Sequence, residues 1–272
     1  MSASASPLAQ PHPWDLVAQD YAAVTAPFFR NYATAALRKA VLAPCAKVLD
    51  VAAGPGTLSL LAADEGHDVT AVDFAPSMIA ELERAAREQN SKVNCLVADG
   101  MALPFPDHSF DAAFSMFGLM FFPDRLRGLH ELLRTLRPGG VALISSWQPM
   151  DRFAMLSDIF AALRDLLPGM PFGQGKAPLG EPDEIHAEMT EAGFHEVHVE
   201  LVSATAEQPT LDASWEMLYR GSAPFALLRR NLGEQSWASV ERGVKESLRK
   251  KYGPGPQTLT MVANLGFARR PA

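Results

Sequence analysis

VLDVAAGPGT, residues 48–57, decides how the rest of the chain is read. It starts as an apolar run interrupted by Asp50, then breaks into a turn carrying Gly54 and Gly56 before a second apolar segment, GTLSLLAADEG, resumes. The predicted local structure is a strand that enters a helix through a glycine-bearing turn. Glycine permits a ligand close to the backbone, and the helix opens with unpaired N–H groups. Taken alone, the turn fits a nucleotide-type ligand or a plain strand-to-helix reversal with no ligand.

Downstream, the same alternation repeats. DVTAVD reads as a strand, PSMIAELERAARE as a helix, KVNCLVA as a strand and SFDAAFSMF as a strand. PDRLRGLHELLRTL reads as a helix closed by Arg137, Pro138, Gly139 and Gly140, and VALISSW as a strand. Alternating strands and helices imply parallel pairing through right-handed crossovers, hence a doubly wound α/β sheet. After Asp151 come an amphipathic helix, the Gly/Pro-rich loop GMPFGQGKAPLGEP, a helix over 183–192, the strand HEVHVELVSA, a helical stretch and the last strand TLTMVANLGFA. A loop of that length suits a cover over a site. Upstream, residues 14–42 carry helical spacing broken by Pro27, which predicts two short helices.

The expected organisation is therefore a disordered leader over 1–13, a helical cap over 14–44 and an α/β core over 45–209 and 253–272. A helical insertion over 210–252 is expected to shape an acceptor pocket.

Three carboxylates fall at strand ends on one rim of this sheet, where open α/β folds bind ligands. Asp50 lies just before the glycine turn, at a position a dinucleotide-binding fold keeps apolar. A carboxylate there repels a pyrophosphate and favours a ligand bearing an ammonium and a sulfonium. Asp73, ending the second strand, is placed to accept hydrogen bonds from both hydroxyls of a ribose; the alternative is an N-cap for the helix near Pro76. Phe74 and Met78 are placed to pack on an adenine face, although Met78 also suits ordinary helix packing. Asp99, ending the third strand, suits an adenine amino group, with a backbone N–H of Gly100 or Met101 donating to the ring. Its alternative is a turn-stabilising carboxylate.

In this order and spacing, VLDVAAGPGT, VTAVDFAPSMI, CLVADGMALPFPDHSFD, FSMFGLMFFPD and LRPGGVALISSW resemble the successive motifs of class I S-adenosylmethionine (SAM)-dependent methyltransferases. The nearest likeness is to the small-molecule branch related to quinone-biosynthesis methyltransferases. EPDEIHAEMTEAGFHEVHVE resembles the later helix and strand of that family. The resemblance implies a seven-stranded, mostly parallel, Rossmann-like sheet with an antiparallel hairpin at one edge, and SAM as cofactor. SAM would meet Asp50, Ala52, Gly54 and Gly56 by its methionine end, Asp73 and Phe74 by the ribose and ring, and Asp99, Gly100 and Met101 by the adenine. The backbone at Ser115 and Met116 would meet the methionine ammonium, and Tyr21 matches an aromatic that closes over the cofactor. One departure is the pair Ala52-Ala53 where a third glycine is common.

Methyl transfer from a sulfonium is an in-line displacement in which alignment and desolvation do much of the catalysis, so no catalytic base is assigned. Met116, Phe117, Met120, Phe121 and Phe122 form the expected apolar wall for a flat or lipophilic acceptor, with Phe117, Met120 and Phe121 as the substrate-binding candidates and core packing as the alternative for at least half of the five. The absence of a polar Asn/Asp-Pro-Pro-aromatic segment at this place favours O- or C-methylation, with N-methylation open. The rivals are an NAD(P)-dependent oxidoreductase, which the glycines and Asp73 alone would serve, and a SAM-binding module that transfers nothing.

The 272 residues are 48% apolar, enough for a full core, and carry a formal net charge of -7, which offers no broad positive field for nucleic acid. Two cysteines without metal-type spacing, no signal-like start and no apolar run of bilayer length predict a soluble cytoplasmic protein, monomer or homodimer, with no metal site.

Overall fold

The computed structural model describes residues 6–170 and 176–272. Seven strands, β1 (Lys47–Val51), β2 (Asp68–Asp73), β3 (Val93–Val97), β4 (Phe110–Met116), β5 (Leu136–Trp147), β6 (His195–Gln208) and β7 (Gln257–Arg269), form one sheet. Their spatial order is β3, β2, β1, β4, β5, β7, β6. The first five pair in parallel, and β7 runs antiparallel to both β5 and β6, as the resemblance implied. The order reverses at β1, so a crevice opens at the carboxyl ends of β1 and β4.

The helices are α1 (His12–Asp15), α2 (Ala18–Asp20), α3 (Ala26–Ala40), α4 (Thr57–Asp64), α5 (Pro76–Gln89), α6 (Arg125–Thr135), α7 (Ala154–Leu166), α8 (Pro182–Glu191), α9 (Leu211–Tyr219), α10 (Ala223–Leu232) and α11 (Glu234–Tyr252). Central strands such as β1 are buried on both faces, which is why they read as nearly unbroken apolar runs. Alternation along β1 sends Leu49 and Val51 to the core under α6 and α8, and Val48 to the core under α3 and α4. Asp50 shares its parity with Val48.

Several local expectations change. Residues 1–5 of the expected leader lie outside the described residues, but from Ser6 onward the segment is structured. Ser6 caps a 3-10 turn over Pro7–Ala9, and the Trp14 indole donates to the Leu8 carbonyl at 2.9 Å. A half-buried indole gives the segment the apolar anchor that its Ser/Ala/Pro composition lacked. Pro27 does not break a helix; it sits in the first turn of α3, where a missing N–H costs nothing. Residues 136–140 extend β5 instead of closing α6, with Gly140 held within reach of Arg137 and Asp111 backbone oxygens. Residues 171–175 of the expected Gly/Pro-rich loop lie outside the described residues.

Residues 210–252 form α9, α10 and α11, which with α7 enclose a core of their own around Trp215, Trp237, Val244 and Ile159. The N-terminal segment docks on this unit: Val17, Ala18, Met78 and Ala223 share one apolar cluster, Asp20 pairs with Arg220 and His12 with Arg230. Gly221 lies against Thr25 and the Tyr21 backbone, where a Cβ would meet Thr25 Oγ1 at 1.9 Å. The two segments, distant in sequence, pack against each other, and the N-terminal one supplies Trp14 and Tyr21 to the crevice. Among the described residues, no helix is long and apolar enough to cross a membrane.

Candidate functional site

At the switch point the chain after β1 makes a sharp turn in which Ala52, Gly54 and Gly56 all take positive φ, at 57°, 56° and 84°. The turn is tied to β2 twice: the Ala53 N–H donates to the Val72 carbonyl at 3.0 Å, and the Gly54 N–H to Asp73 Oδ2 at 2.8 Å. Asp73 Oδ1 accepts from the Ala75 N–H at 2.9 Å. The cap of α5 comes instead from the N-terminal segment, whose Asp15 Oδ1 accepts from the Ser77 N–H at 2.9 Å.

Two cavities adjoin at this turn and share Tyr21, Ala52, Gly54, Met116 and Phe117. The larger runs over the lips of β2 and β3 and is lined by Asp73, Phe74, Met78, Asp99, Gly100 and Met101, with Phe121, Phe122 and Trp14 as its far wall. The smaller lies on the α3 and α4 side of β1 and is lined by Asp50, Phe29, Ala33, Pro55, Thr57 and Leu58. Gly56 offers no side-chain cap to α4, so the first-turn N–H groups of that helix face the smaller cavity without one.

Charge in the site is one-sided. Asp50 is 1% exposed and accepts from the Ser59 hydroxyl at 2.6 Å. Burial, more than the nearby Asp73, pushes its carboxyl up to about 7. Burial likewise pushes Asp73 up to about 6, against the pull of its backbone donors and with help from Asp15. Burial, then the Asp73 charge, raises the Tyr21 phenol, which stays protonated at neutral pH. Among the described residues, no Lys, Arg or His lines either cavity. This donor set fits a cationic adenosyl ligand and disfavours a pyrophosphate.

Most of the expected site residues come together here, but four do not serve as expected. Gly56 lines neither cavity; a Cβ on it would meet Leu82 Cδ1 at 2.0 Å, so packing of α4 on α5 requires the glycine. Ser115 is buried with an unpartnered hydroxyl and lines neither cavity. Met120 belongs to the core under α6 and lines neither cavity. The Met101 N–H is occupied by Asp99 Oδ1 at 2.8 Å, which makes Asp99 a turn carboxylate as well as a rim residue and leaves Gly100 as the free backbone candidate. Phe121 does line a cavity, but beside Asp99 and Met101 and 4.8 Å from the Trp14 ring, away from Phe117.

Residues the sequence reading missed include Trp14, Pro123 and Gly118 in the larger cavity and Phe29 and Thr57 in the smaller. Pro123 follows directly on the apolar run already singled out, so length of run was a usable signal. Trp14 and Phe29 had none. Gly118 answers the Ala52-Ala53 departure: a Cβ on Gly118 would meet the Ala52 Cβ at 2.3 Å.

With this geometry in place, comparison with known proteins is direct. The family model described as "Methyltransferase domain" matches residues 49–144. The demethylmenaquinone methyltransferase of a Parafrankia species is 37% identical over 175 residues, 55% of this chain and 68% of that protein. The Thermus thermophilus demethylmenaquinone methyltransferase is 41% identical over 105 residues, and an uncharacterized Mycobacterium tuberculosis protein 40% identical over 106. These two matches cover 38% and 39% of this chain and 48% and 39% of the relatives' own lengths. Among solved structures, the [4+2]-cyclase SpnF aligns over 98% of both chains with a TM-score of 0.63 at 20% identity. A Haemonchus contortus phosphoethanolamine N-methyltransferase, solved with S-adenosylhomocysteine, aligns over 89% of this chain and 53% of its own with a TM-score of 0.56 at 22% identity. At those identities the structures show a shared fold. The chain belongs to the class I SAM-dependent methyltransferases. Its curated likenesses within that class include demethylmenaquinone methyltransferases.

Proposed function

We propose that the protein transfers the methyl group of SAM to a small, flat, lipophilic acceptor. The observation that carries the reading is the pair of joined cavities lined by three carboxylates, a glycine-bearing turn and no cationic side chain. When bound, SAM supplies an electrophilic methyl on a sulfonium. Asp73 and Phe74 hold the ribose and ring, Asp99 and Gly100 meet the adenine, and Phe121, Phe122 and Trp14 wall it from water. Asp50 attracts the ammonium, and the N-terminal turn of α4 meets the carboxylate in place of an arginine.

The acceptor approaches where the cavities join, at Tyr21, Met116 and Phe117. Behind Phe117 stands an aromatic cluster that includes Phe29, Tyr32 and Trp147, with ring centroids 4.7, 5.3 and 4.3 Å from that of Phe117. Tyr21, kept protonated, donates a hydrogen bond and does not act as a base. The acceptor therefore brings its own nucleophile, an ionised phenol or enol or a neutral amine. Alignment and exclusion of water supply the rest of the catalysis. O- or C-methylation is favoured, and because relatives are named for demethylmenaquinone, hydroquinones head the acceptor screen.

Calorimetric titration tests the cofactor: SAM or S-adenosylhomocysteine binds and NAD(H) does not, and the reverse result defeats the proposal. A screen with labelled SAM tests transfer. Tight SAM binding with no turnover of any acceptor would favour a SAM-binding module.

A further inference from the structure

We infer that Asp50 and Asp73 couple cofactor occupancy to proton release, so that SAM and its demethylated product are held with different pH dependences. The inference rests on the cofactor assignment above.

Both carboxylates are buried, at 1% and 5% exposure, yet neither faces a positive side chain. Asp50 has the Ser59 hydroxyl as its side-chain partner, and Asp73 has the Gly54 and Ala75 N–H groups. The charged or titratable groups facing them are few and none is basic. Tyr21 comes from a π-helical turn, Tyr21–Thr25, between α2 and α3, Asp15 from α1 and Asp99 from the lip of β3, and the Asp73 charge bears on Asp50. From α3, α4 and β4 the cavity walls are Phe29, Ala33, Thr57, Leu58 and Met116, which carry no charge. Burial raises both carboxyls, to about 7 and about 6, so the ligand-free site holds protons in the mildly acidic range.

A cation placed beside such a group favours its ionised form and expels the proton. SAM brings two positive groups, the sulfonium and the ammonium. Once the methyl has left and the S–CH3 electron pair remains on sulfur, S-adenosylhomocysteine brings only the ammonium. The substrate form therefore displaces more protons than the product form, and the ratio of SAM to S-adenosylhomocysteine affinity rises with pH through the range in which the carboxyls titrate. Above that range the site favours exchange of product for substrate, and below it the advantage fades.

The test is isothermal titration calorimetry of the full chain with SAM and with S-adenosylhomocysteine. Each is run in two buffers of different ionisation enthalpy at pH 5.5 and 6.5, where both ligands' amino groups are protonated. More protons are expected to be released with SAM than with the product. From pH 6.5 to 5.5 both affinities are expected to fall, that of SAM by roughly two- to threefold more than that of the product. Asp50→Asn, which keeps an oxygen for Ser59, should bind SAM with reduced proton release; Asp73→Asn serves the same purpose if that variant does not fold. Equal proton release by the two ligands in the unaltered protein overturns the inference and leaves the cofactor assignment standing. Failure of either ligand to bind overturns both.

Discussion

The lips of β1 and β2 end in the same functional group and use it differently. Asp73, on β2, accepts from two backbone N–H groups, one in the turn after β1 and one just after β2 itself, so it fastens the glycine turn to the start of α5 as well as facing the larger cavity. Asp50, on β1, has one hydroxyl partner and faces the smaller cavity. One carboxylate is a structural clasp that also meets the ligand; the other is a poorly satisfied charge held beside it. The contrast predicts that the two positions fail in different ways.

The largest effect is expected at Asp73. Asp73→Ala leaves the N–H groups of Gly54 and Ala75 without acceptors, and each unsatisfied donor costs about 1–3 kcal/mol, so unfolding stability should drop by about 2–6 kcal/mol. SAM affinity should fall by about 1.5–3 kcal/mol as well, the range for a lost hydrogen bond to a charged group. Denaturant unfolding and calorimetry measure the two losses separately. Loss of affinity without loss of stability would mean that Asp73 is no clasp.

Asp50 should instead reveal itself through pH. Its folded value, about 7, lies above its value of 3.8 as an unperturbed group, so between roughly pH 4 and pH 7 the folded protein binds more protons than the unfolded chain. The Asp50 contribution to ligand-free stability should therefore fall as pH rises through that window, by about 1–3 kcal/mol. Asp50→Asn removes that contribution, so relative to the original protein the variant should gain stability as pH rises from 4 to 7. A denaturation series in which the two proteins keep the same slope would break the contrast between the lips. The sign is opposite to that expected for SAM affinity, which falls with acid.

The turn between those lips is tight enough for one methyl group to matter. Gly118→Ala places a Cβ 2.3 Å from that of Ala52, and overpacking of this kind should cost about 1–2 kcal/mol. Because Ala52 and Gly118 both line the larger cavity, SAM affinity should fall as well. A thermal midpoint unchanged from the original would show that the turn can move aside.

How much of this was legible follows from the range of the contacts. The parallel sheet and the three rim carboxylates sit in segments whose strand, turn and helix are continuous in sequence, so apolar runs and glycines were sufficient to place them. Parity along β1 was also readable in principle: Asp50 is two residues from Val48, and both face the α3 side. The docking of the N-terminal segment was not readable. Trp14 reaches Phe121, and Asp20 reaches Arg220, through contacts that no local pattern encodes, and the composition of the first residues pointed away from order.

The smallest expected effect concerns Ala52 itself. At φ 57° it occupies the left-handed region that glycine enters freely and alanine enters at a cost of about 1–2 kcal/mol. Ala52→Gly should relieve that strain, but glycine also gains more freedom in the unfolded chain, which offsets about 0.4–1 kcal/mol of the benefit. The net expectation is a stabilisation of about 0.5–1 kcal/mol, read as a small rise in the denaturation midpoint with unchanged slope. The same variant removes the methyl that a Cβ at Gly118 would strike, so Ala52→Gly should rescue most of the Gly118→Ala loss. If the double variant is as unstable as Gly118→Ala alone, the close approach at Gly118 is set by Ser115 or the Ala52 carbonyl, at 3.2 and 3.5 Å, and the alanine at the β1 lip is not what fixes glycine on the β4 side.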